Sequence, residues 1–240
     1  MKGLVRTAAA ATVSLAALLA AGAASASSFA IRSGQSAEGL GMAYAGAASG
    51  GIGMGSMAWN PATITMFPGR NSNWNFTYLY ANGDYKPTST TRLGSPVGPA
   101  SPIQGGTGNI GGDGAFIPAS YSAWQLTDRF WIGLTTGAPY GLRSKAENQV
   151  HAGQVYGRSA KVRSINVSPT IGYQVNDWLS IGAAFQIQYL KANLKTATGA
   201  NIGQAIGPTA PTQILDGDTV DYGFRFGATL TPFQGTTIGI

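Results

Sequence analysis

A two-residue alternation, repeated in separate segments, limits this chain more than any other feature: each segment sets an apolar face against an almost uncharged polar one. From Leu179 to Tyr189 one face carries Leu179, Ile181, Ala183, Phe185, Ile187 and Tyr189, the other Ser180, Gly182, Ala184, Gln186 and Gln188. Residues 220 to 231 repeat the pattern, with Val220, Tyr222, Phe224, Phe226, Ala228 and Leu230 opposite Asp221, Gly223, Arg225, Gly227, Thr229 and Thr231. A third case sets Ile165, Val167, Pro169, Ile171 and Tyr173 against Asn166, Ser168, Thr170, Gly172 and Gln174. A fourth sets Trp74, Phe76, Tyr78 and Tyr80 against Asn73, Asn75 and Thr77. Successive Cβ atoms of a strand point to opposite faces, so this period predicts strands. The segments near 115 to 127 and 130 to 141 alternate less cleanly, and a seventh begins at Thr236.

Strands of a soluble β-sandwich also alternate, so the period alone does not choose between water and lipid. The polar faces do, being Gly, Ser, Thr, Asn and Gln with few charges, which suits a filled lumen better than an outer surface. The connections add a rhythm: about 82 to 113 long, 127 to 129 short, 142 to 160 long, 175 to 177 short, 195 to 217 long and 232 to 236 short. Long outer loops and tight periplasmic turns are the habit of outer-membrane barrels. Only 10% of residues are charged and 35 are glycine, too little charge for an ordinary soluble surface. The mature part nevertheless holds no apolar run long enough for a helical span. Trp74, Trp124, Phe130, Trp131, Trp178 and Phe233 lie near strand ends, where aromatic girdles form. The expected class is all-β, an antiparallel transmembrane β-barrel.

Residues 1–26 read as a signal peptide: Lys2 and Arg6 precede an apolar stretch from Leu15 to Ala21, and Ala24-Ser25-Ala26 is a small-residue cleavage site. The exported chain has 0 Cys, so no disulfide framework supports it. Loop parity then orients the rest. The first strand leads into a long loop and starts on the periplasmic side, so residues 27–69 are delivered at that end of the barrel. That stretch is long and rich in small residues, which suggests a compact plug ahead of barrel residues 70–240. Asn60-Pro61 would halt the plug with a turn, because proline fixes its own φ and pushes the preceding residue out of helical space. A plain loop turn is the alternative.

At this point GQSAEGLGMAYAGAAS (Gly34 to Ser49), with NPATITMF (Asn60 to Phe67), resembles the N-terminal hatch of the outer-membrane long-chain fatty acid and hydrocarbon transport family, the FadL and TodX type. The likeness continues through LTDRFWIGL, PYGL, IGYQVNDWLSIGAAFQIQY and DYGFRFGATLTP. The resemblance implies a barrel of about fourteen strands with a hatch, of which six complete segments and one partial one are about half. The chain is therefore expected to be a truncated or fragmentary sequence. It marks Gly39, Leu40, Gly41, Tyr44, Gly46, Asn60, Pro61 and Ala62 as hatch motif. It places Ser27, Ser28 and Phe29 in the ligand pocket and gives Lys191 a part in holding a ligand's carboxylate, although alternation puts Lys191 on the lipid face. Relatives usually carry an acidic pair in the hatch, where this chain has the glycine run from Gly50 to Gly55. The function implied is passive transport of hydrophobic compounds such as long-chain fatty acids. Aromatic hydrocarbon uptake on the same fold, or a structural or adhesin role, are the alternatives. The partners implied are a hydrophobic ligand, outer-membrane lipid and lipopolysaccharide, and the outer-membrane assembly machinery during biogenesis.

The remaining residues offer little chemistry of other kinds. Lys2 and Arg6 account for two of the net +6 charge, leaving +4 on the mature chain without a basic-aromatic cluster, so nothing points to nucleic acid. The sole histidine, His151, falls in an expected long loop near Glu147, where a solvated role outweighs a catalytic one. GGTGNIGGDG, Gly105 to Gly114, lacks the strand-turn-helix setting of a phosphate cradle. No enzyme, metal or cofactor is expected. Asp221 and Arg225 face the lumen, where mutual or local pairing is the simplest reading.

Overall fold

The computed structural model describes residues 31, 35–80, 83–85, 91–92, 101–102, 108–111, 114–146, 154, 157–197 and 212–240. Its strands, in chain order, are β1 (Arg70–Leu79), β2 (Asp84–Tyr85), β3 (Thr91–Arg92), β4 (Ser101–Pro102), β5 (Gly108–Gly111), β6 (Ala115–Thr127), β7 (Phe130–Gly137), β8 (Gly141–Ala146), β9 (Ser159–Asn176), β10 (Leu179–Ala197), β11 (Thr212–Phe233) and β12 (Thr236–Gly239). The main sheet runs β1-β6-β7-β9-β10-β11-β12 with every neighbour antiparallel. β8 continues the line of β7 along β9, and β5 joins β8 above β6. Consecutive segments are therefore adjacent throughout, an up-and-down half-barrel. Among the described residues no helix is long and apolar enough to cross a membrane; the crossing is made by strands.

Burial follows the alternation. In β9, Ile165, Pro169, Ile171 and Tyr173 are exposed while Ser164, Ser168, Thr170 and Gly172 are buried. In β11 the outward Phe224 and Phe226 are 72% and 75% exposed. Phe224 stands directly across from Phe185 in register, and Phe185 stacks on Tyr222. These rings form a continuous outer apolar surface.

The tight connections are as short as their sequences allow. Asn176 accepts the amides of Trp178 and Leu179 through its side-chain oxygen at 3.1 and 2.8 Å, closing the β9–β10 turn at Asp177 and Trp178. Gly235 supplies the left-handed residue (φ +84°) that the β11–β12 turn needs.

Two expectations need correction. The long connections are not all loop: β10 runs to Ala197 and β11 starts at Thr212, β8 (Gly141–Ala146) takes up the start of the 142 to 160 stretch, and β2 to β5 lie within 82 to 113. Residues 212–219 of β11 are exposed on both faces. The hydrophobic alternation fades there, but the hydrogen-bond ladder does not. Trp131 is no girdle residue either: it is 2% exposed, and its ring nitrogen donates to the Phe67 carbonyl at 3.0 Å. It points inward because Phe130, one residue earlier in β7, takes the outward position.

Cysteines placed at Asp128, Asp177 and Gln234, all in the tight turns, should resist an impermeant maleimide on intact cells. Cysteines at Thr90, Glu147 and Gly203 should react; these loop positions lie outside the described residues. Labelling in the opposite sense would overturn the orientation.

Candidate functional site

Residues 35–69 fold as a small unit against the polar face of the sheet. It contains α1 (Ala37–Gly41) and three 3₁₀ turns, Ala47–Ser49, Gly53–Ala58 and Pro61–Met66. Ser36 caps α1 by accepting the Gly39 amide at 3.0 Å. Tyr44 folds back over Gly39, where any side chain would strike its ring. The Tyr44 hydroxyl accepts from the Ser36 amide at 3.2 Å. Burial pushes its pKa up from the ordinary phenol value, so it stays protonated. Gly46 takes φ +70°, a conformation open to glycine at little cost. Leu40 and Gly41, by contrast, are exposed, and nothing in the structure explains their place in the motif.

The unit and the sheet share one core of Met54, Met57, Ile64, Ala119, Tyr121, Ala123 and Trp131. This explains why β6 read poorly in sequence. Its inward face is the greasy one, with Ile117, Ala119, Tyr121 and Ala123 all buried, while Pro118, Ser120 and Ser122 point the other way. The inward face meets protein rather than water, so its polarity is inverted.

A row of glycines makes the seat. Gly172, Gly182 and Gly227 are aligned in register across β9, β10 and β11. A methyl group built on Gly182 would lie 2.5 Å from both the Ala62 nitrogen and the Pro61 carbonyl carbon. On Gly227 it would collide with the Asn60 side chain, on Gly172 with Ile64, and on Gly239 with the Ala48 backbone. The sheet is therefore bare where residues 60–64 lie on it.

Asn60 answers the question that its sequence position raises. It is 1% exposed and caps the Pro61–Met66 turn, accepting the Ala62 amide through Oδ1 at 2.9 Å. Its Nδ2 donates to the Ala48 carbonyl and to the Ala228 carbonyl of β11, both at 2.8 Å. One side chain starts the turn, ties the unit to itself and ties it to the wall. Close packing and hydrogen bonds of this kind, such as Tyr121 donating to the Gln35 carbonyl at 3.1 Å, join the unit to the wall.

Above this unit lies a polar inner cavity of ≈ 100 Å³. Gln35, Tyr121, Asn166, Gln186, Gln188 and Arg225 are among the residues that line it. Arg225 lines this cavity, on the face of β11 opposite Phe224 and Phe226. Asp221 lies four residues along β11, with Oδ1 accepting the Tyr222 amide at 2.9 Å.

The wall opens beside this cavity. The β6–β7 ladder stops at Ser120 and Thr136, although β6 continues along β1 to Ala115. Between Gly137, paired with Asn166, and Gly141, paired with Arg163, three residues of one strand oppose two of β9. That mismatch is a bulge. Ser164 stabilises it through its hydroxyl, accepting the Tyr140 amide at 2.8 Å and donating to the Tyr140 carbonyl at 2.7 Å. A cavity of ≈ 370 Å³ fills the gap, lined by Ile31, Phe116, Ile117, Pro118, Tyr140 and Ile165 among others. It draws on both faces of the wall: Ile117 faces inward, whereas Phe116 and Ile165 face outward. Ile31 reaches it from the N-terminal segment, its amide donating to the Pro139 carbonyl at 2.9 Å.

Ser27, Ser28 and Phe29 lie outside the described residues, as do His151 and Glu147. Lys191 is on the outward face of β10, 3.9 Å from Asp216, and does not line the inner cavity. Sequence reasoning missed the bulge and the glycine seat. The signal for the seat was present in glycines recurring at one height in three aligned segments.

The fold and its inner unit define a class, that of outer-membrane β-barrels with N-terminal chain packed on the lumen face. The chain belongs to the outer membrane protein transport family (OMPP1/FadL/TodX), whose model matches residues 17–240. Its place is therefore the outer membrane of a Gram-negative bacterium. It is 30% identical over 188 residues to outer membrane protein P1 of Haemophilus influenzae, covering 76% of this chain and 40% of that relative. Against the long-chain fatty acid transport protein of Escherichia coli K12 the identity is 25% over 171 residues, covering 71% and 35%. In fold it is similar to a Pseudomonas aeruginosa FadL homologue (TM-score 0.64, 22% identity, 89% of this chain and 52% of that one). It is also similar to the CymD monoaromatic hydrocarbon channel (TM-score 0.54, 16% identity, 87% and 52%). The chain spans about two-fifths of the curated relatives' length.

Proposed function

We propose that this chain forms part of a passive outer-membrane channel for hydrophobic compounds, in which residues 27–69 act as a hatch and the break at residues 138–140 is a side window. The observation that carries the reading is the apolar cavity spanning the wall at the β7–β8 bulge. A greasy solute gains nothing from a long aqueous pore, but a gap in the wall lets it pass between the interior and the lipid while its surface stays out of water. The polar lumen above the hatch supports the same route, since it offers an apolar ligand no better path. The names of relatives favour long-chain fatty acids first and monoaromatic hydrocarbons second. Ser27, Ser28 and Phe29 immediately precede the segment that reaches the window through Ile31, which suits a role in occupying it.

The test is uptake of labelled oleate and toluene by a strain lacking the protein and complemented with the full-length gene. Deleting Pro139 leaves two residues opposite Ser164 and Ile165, so the ladder can close. Uptake should fall to the level of the empty strain while folded protein persists in the membrane. Deleting residues 27–67 should raise single-channel conductance in planar bilayers. Undiminished uptake with the bulge removed would sink the window, and unchanged conductance would sink the hatch.

A further inference from the structure

The outer apolar surface ends at one level. Ile165, Tyr189 and Val220 are aligned in register across β9, β10 and β11. At the next outward position on each strand stand Arg163, Lys191 and Asp218, again aligned. From Val220 to Leu230 the outward face of β11 spans about 25 Å of height when strand rise and barrel tilt are combined, which matches the apolar band of such barrels. The change from grease to charge therefore marks the outer edge of the hydrocarbon layer.

Above that edge the outward face is strongly basic. Arg143, Lys145, Lys161, Arg163, Lys191 and Lys195 surround a shallow concavity of ≈ 600 Å³ on β8, β9 and β10. Arg143 is paired in register with Lys161, and Arg163 with Lys191, so cations stand side by side where cross-strand pairing normally sets opposite charges. Among the described residues the acids beside it are Asp216 and Asp218 of β11, Asp216 approaching Lys191 at 3.9 Å. Arg163 above all, then partial loss of water and then Arg143, push the Lys161 pKa below the usual lysine value. Crowding of that kind destabilises the protein alone, and an anion brought from outside would relieve it.

We propose that this concavity is a docking site for the phosphate-bearing headgroup of lipopolysaccharide in the outer leaflet. Two features select this occupant over a free fatty acid. The cations are spread over three adjacent strands, a width of about 10 Å, which suits a headgroup with more than one phosphate; a single carboxylate would engage one or two of them. Directly below lies the apolar wall of Ile165, Tyr189 and Val220, placed to receive acyl chains attached to the same headgroup. Lipopolysaccharide carries both parts in that order. The assignment gives Lys191 a partner on the face where the structure puts it; Arg143, Lys161 and Arg163 also border the wall cavity at the bulge, so oleate is titrated beside the glycolipids to tell the two occupants apart.

The experiment titrates purified lipopolysaccharide, enzymatically dephosphorylated lipopolysaccharide and oleate separately onto the full-length protein in detergent, with complexes counted by native mass spectrometry. Wild type should bind the phosphorylated glycolipid far more tightly than the dephosphorylated form. The K161Q/R163Q/K191Q variant should bind the phosphorylated form roughly a hundredfold more weakly, as expected for three cations removed from an anionic surface, and should no longer distinguish the two forms. The dephosphorylated arm needs no variant, so the test survives a folding defect in the triple mutant. Equal binding of both glycolipids by wild type would overturn the proposal. So would a folded variant that keeps its lipopolysaccharide but loses oleate, which would assign the patch to fatty acid carboxylates.

Discussion

Replacing Asn60 with alanine should detach the inner unit from the wall while leaving the barrel strands paired. The substitution deprives the Ala62 amide of its acceptor and removes a donor from the Ala48 and Ala228 carbonyls, at a side chain 1% exposed. A buried polar group left without a partner costs about 1 to 3 kcal/mol, so the docked state should lose about 3 to 5 kcal/mol. Asn60→Asp should do no better. It keeps an acceptor for Ala62 but turns a negative charge toward two carbonyl oxygens. Gly182→Val should give the same phenotype by collision, because the atoms it meets are backbone of Pro61 and Ala62 and cannot swing aside. Gly217→Val is the matched control, with nothing within 4 Å of its added carbon. The readouts are limited proteolysis between residues 35 and 69 and conductance in planar bilayers. Protection equal to wild type in both Asn60→Ala and Gly182→Val would mean that residues 60–64 do not hold the unit in place.

The second large effect separates a lipid-facing wall from a sandwich. Phe224 is outward, 72% exposed and near the middle of the outward apolar run of β11. Arginine there should cost roughly 2 to 4 kcal/mol, the penalty for a cation at the bilayer midplane on a barrel's lipid face. Some further loss comes from its contact with Phe185, 5.2 Å away between ring centroids. Gln186→Arg places the same charge beside Arg225 in the wet inner cavity, and folding should be nearly unaffected because water there screens and solvates it. Folding equilibria in lipid bilayers, read from the electrophoretic shift between folded and unfolded forms, give both numbers. Equal losses at the two positions would argue for two buried faces.

How much could be read without coordinates differs from segment to segment. β9, β10 and β11 declared their faces completely, because lipid on one side and small polar side chains on the other leave no ambiguity in a period of two. β6 did not. Tyr121 and Ile117 are buried, Tyr121 beneath residues from another part of the chain, and no local pattern reports a partner 86 residues away. Trp131 was misplaced for the same reason. The family motif was legible in GLGMAYAG and NPA, yet what those residues do was not. Gly39 makes room for a ring from its own segment, whereas Asn60 binds a carbonyl 168 positions along the chain.

By itself, then, the sequence determined the class: strands rather than helices, lipid on one face, and which successive segments are joined by tight turns. All of these follow from local alternation and turn chemistry, where each residue's environment repeats every second position. Only the tertiary structure decided where residues 35–69 sit, that glycines on β9, β10 and β11 are their seat, that the wall breaks at residues 138–140, and that cations from three strands meet above the apolar edge. Each of these depends on register between strands far apart in sequence. Register is set by cooperative pairing across the sheet, which no single segment encodes.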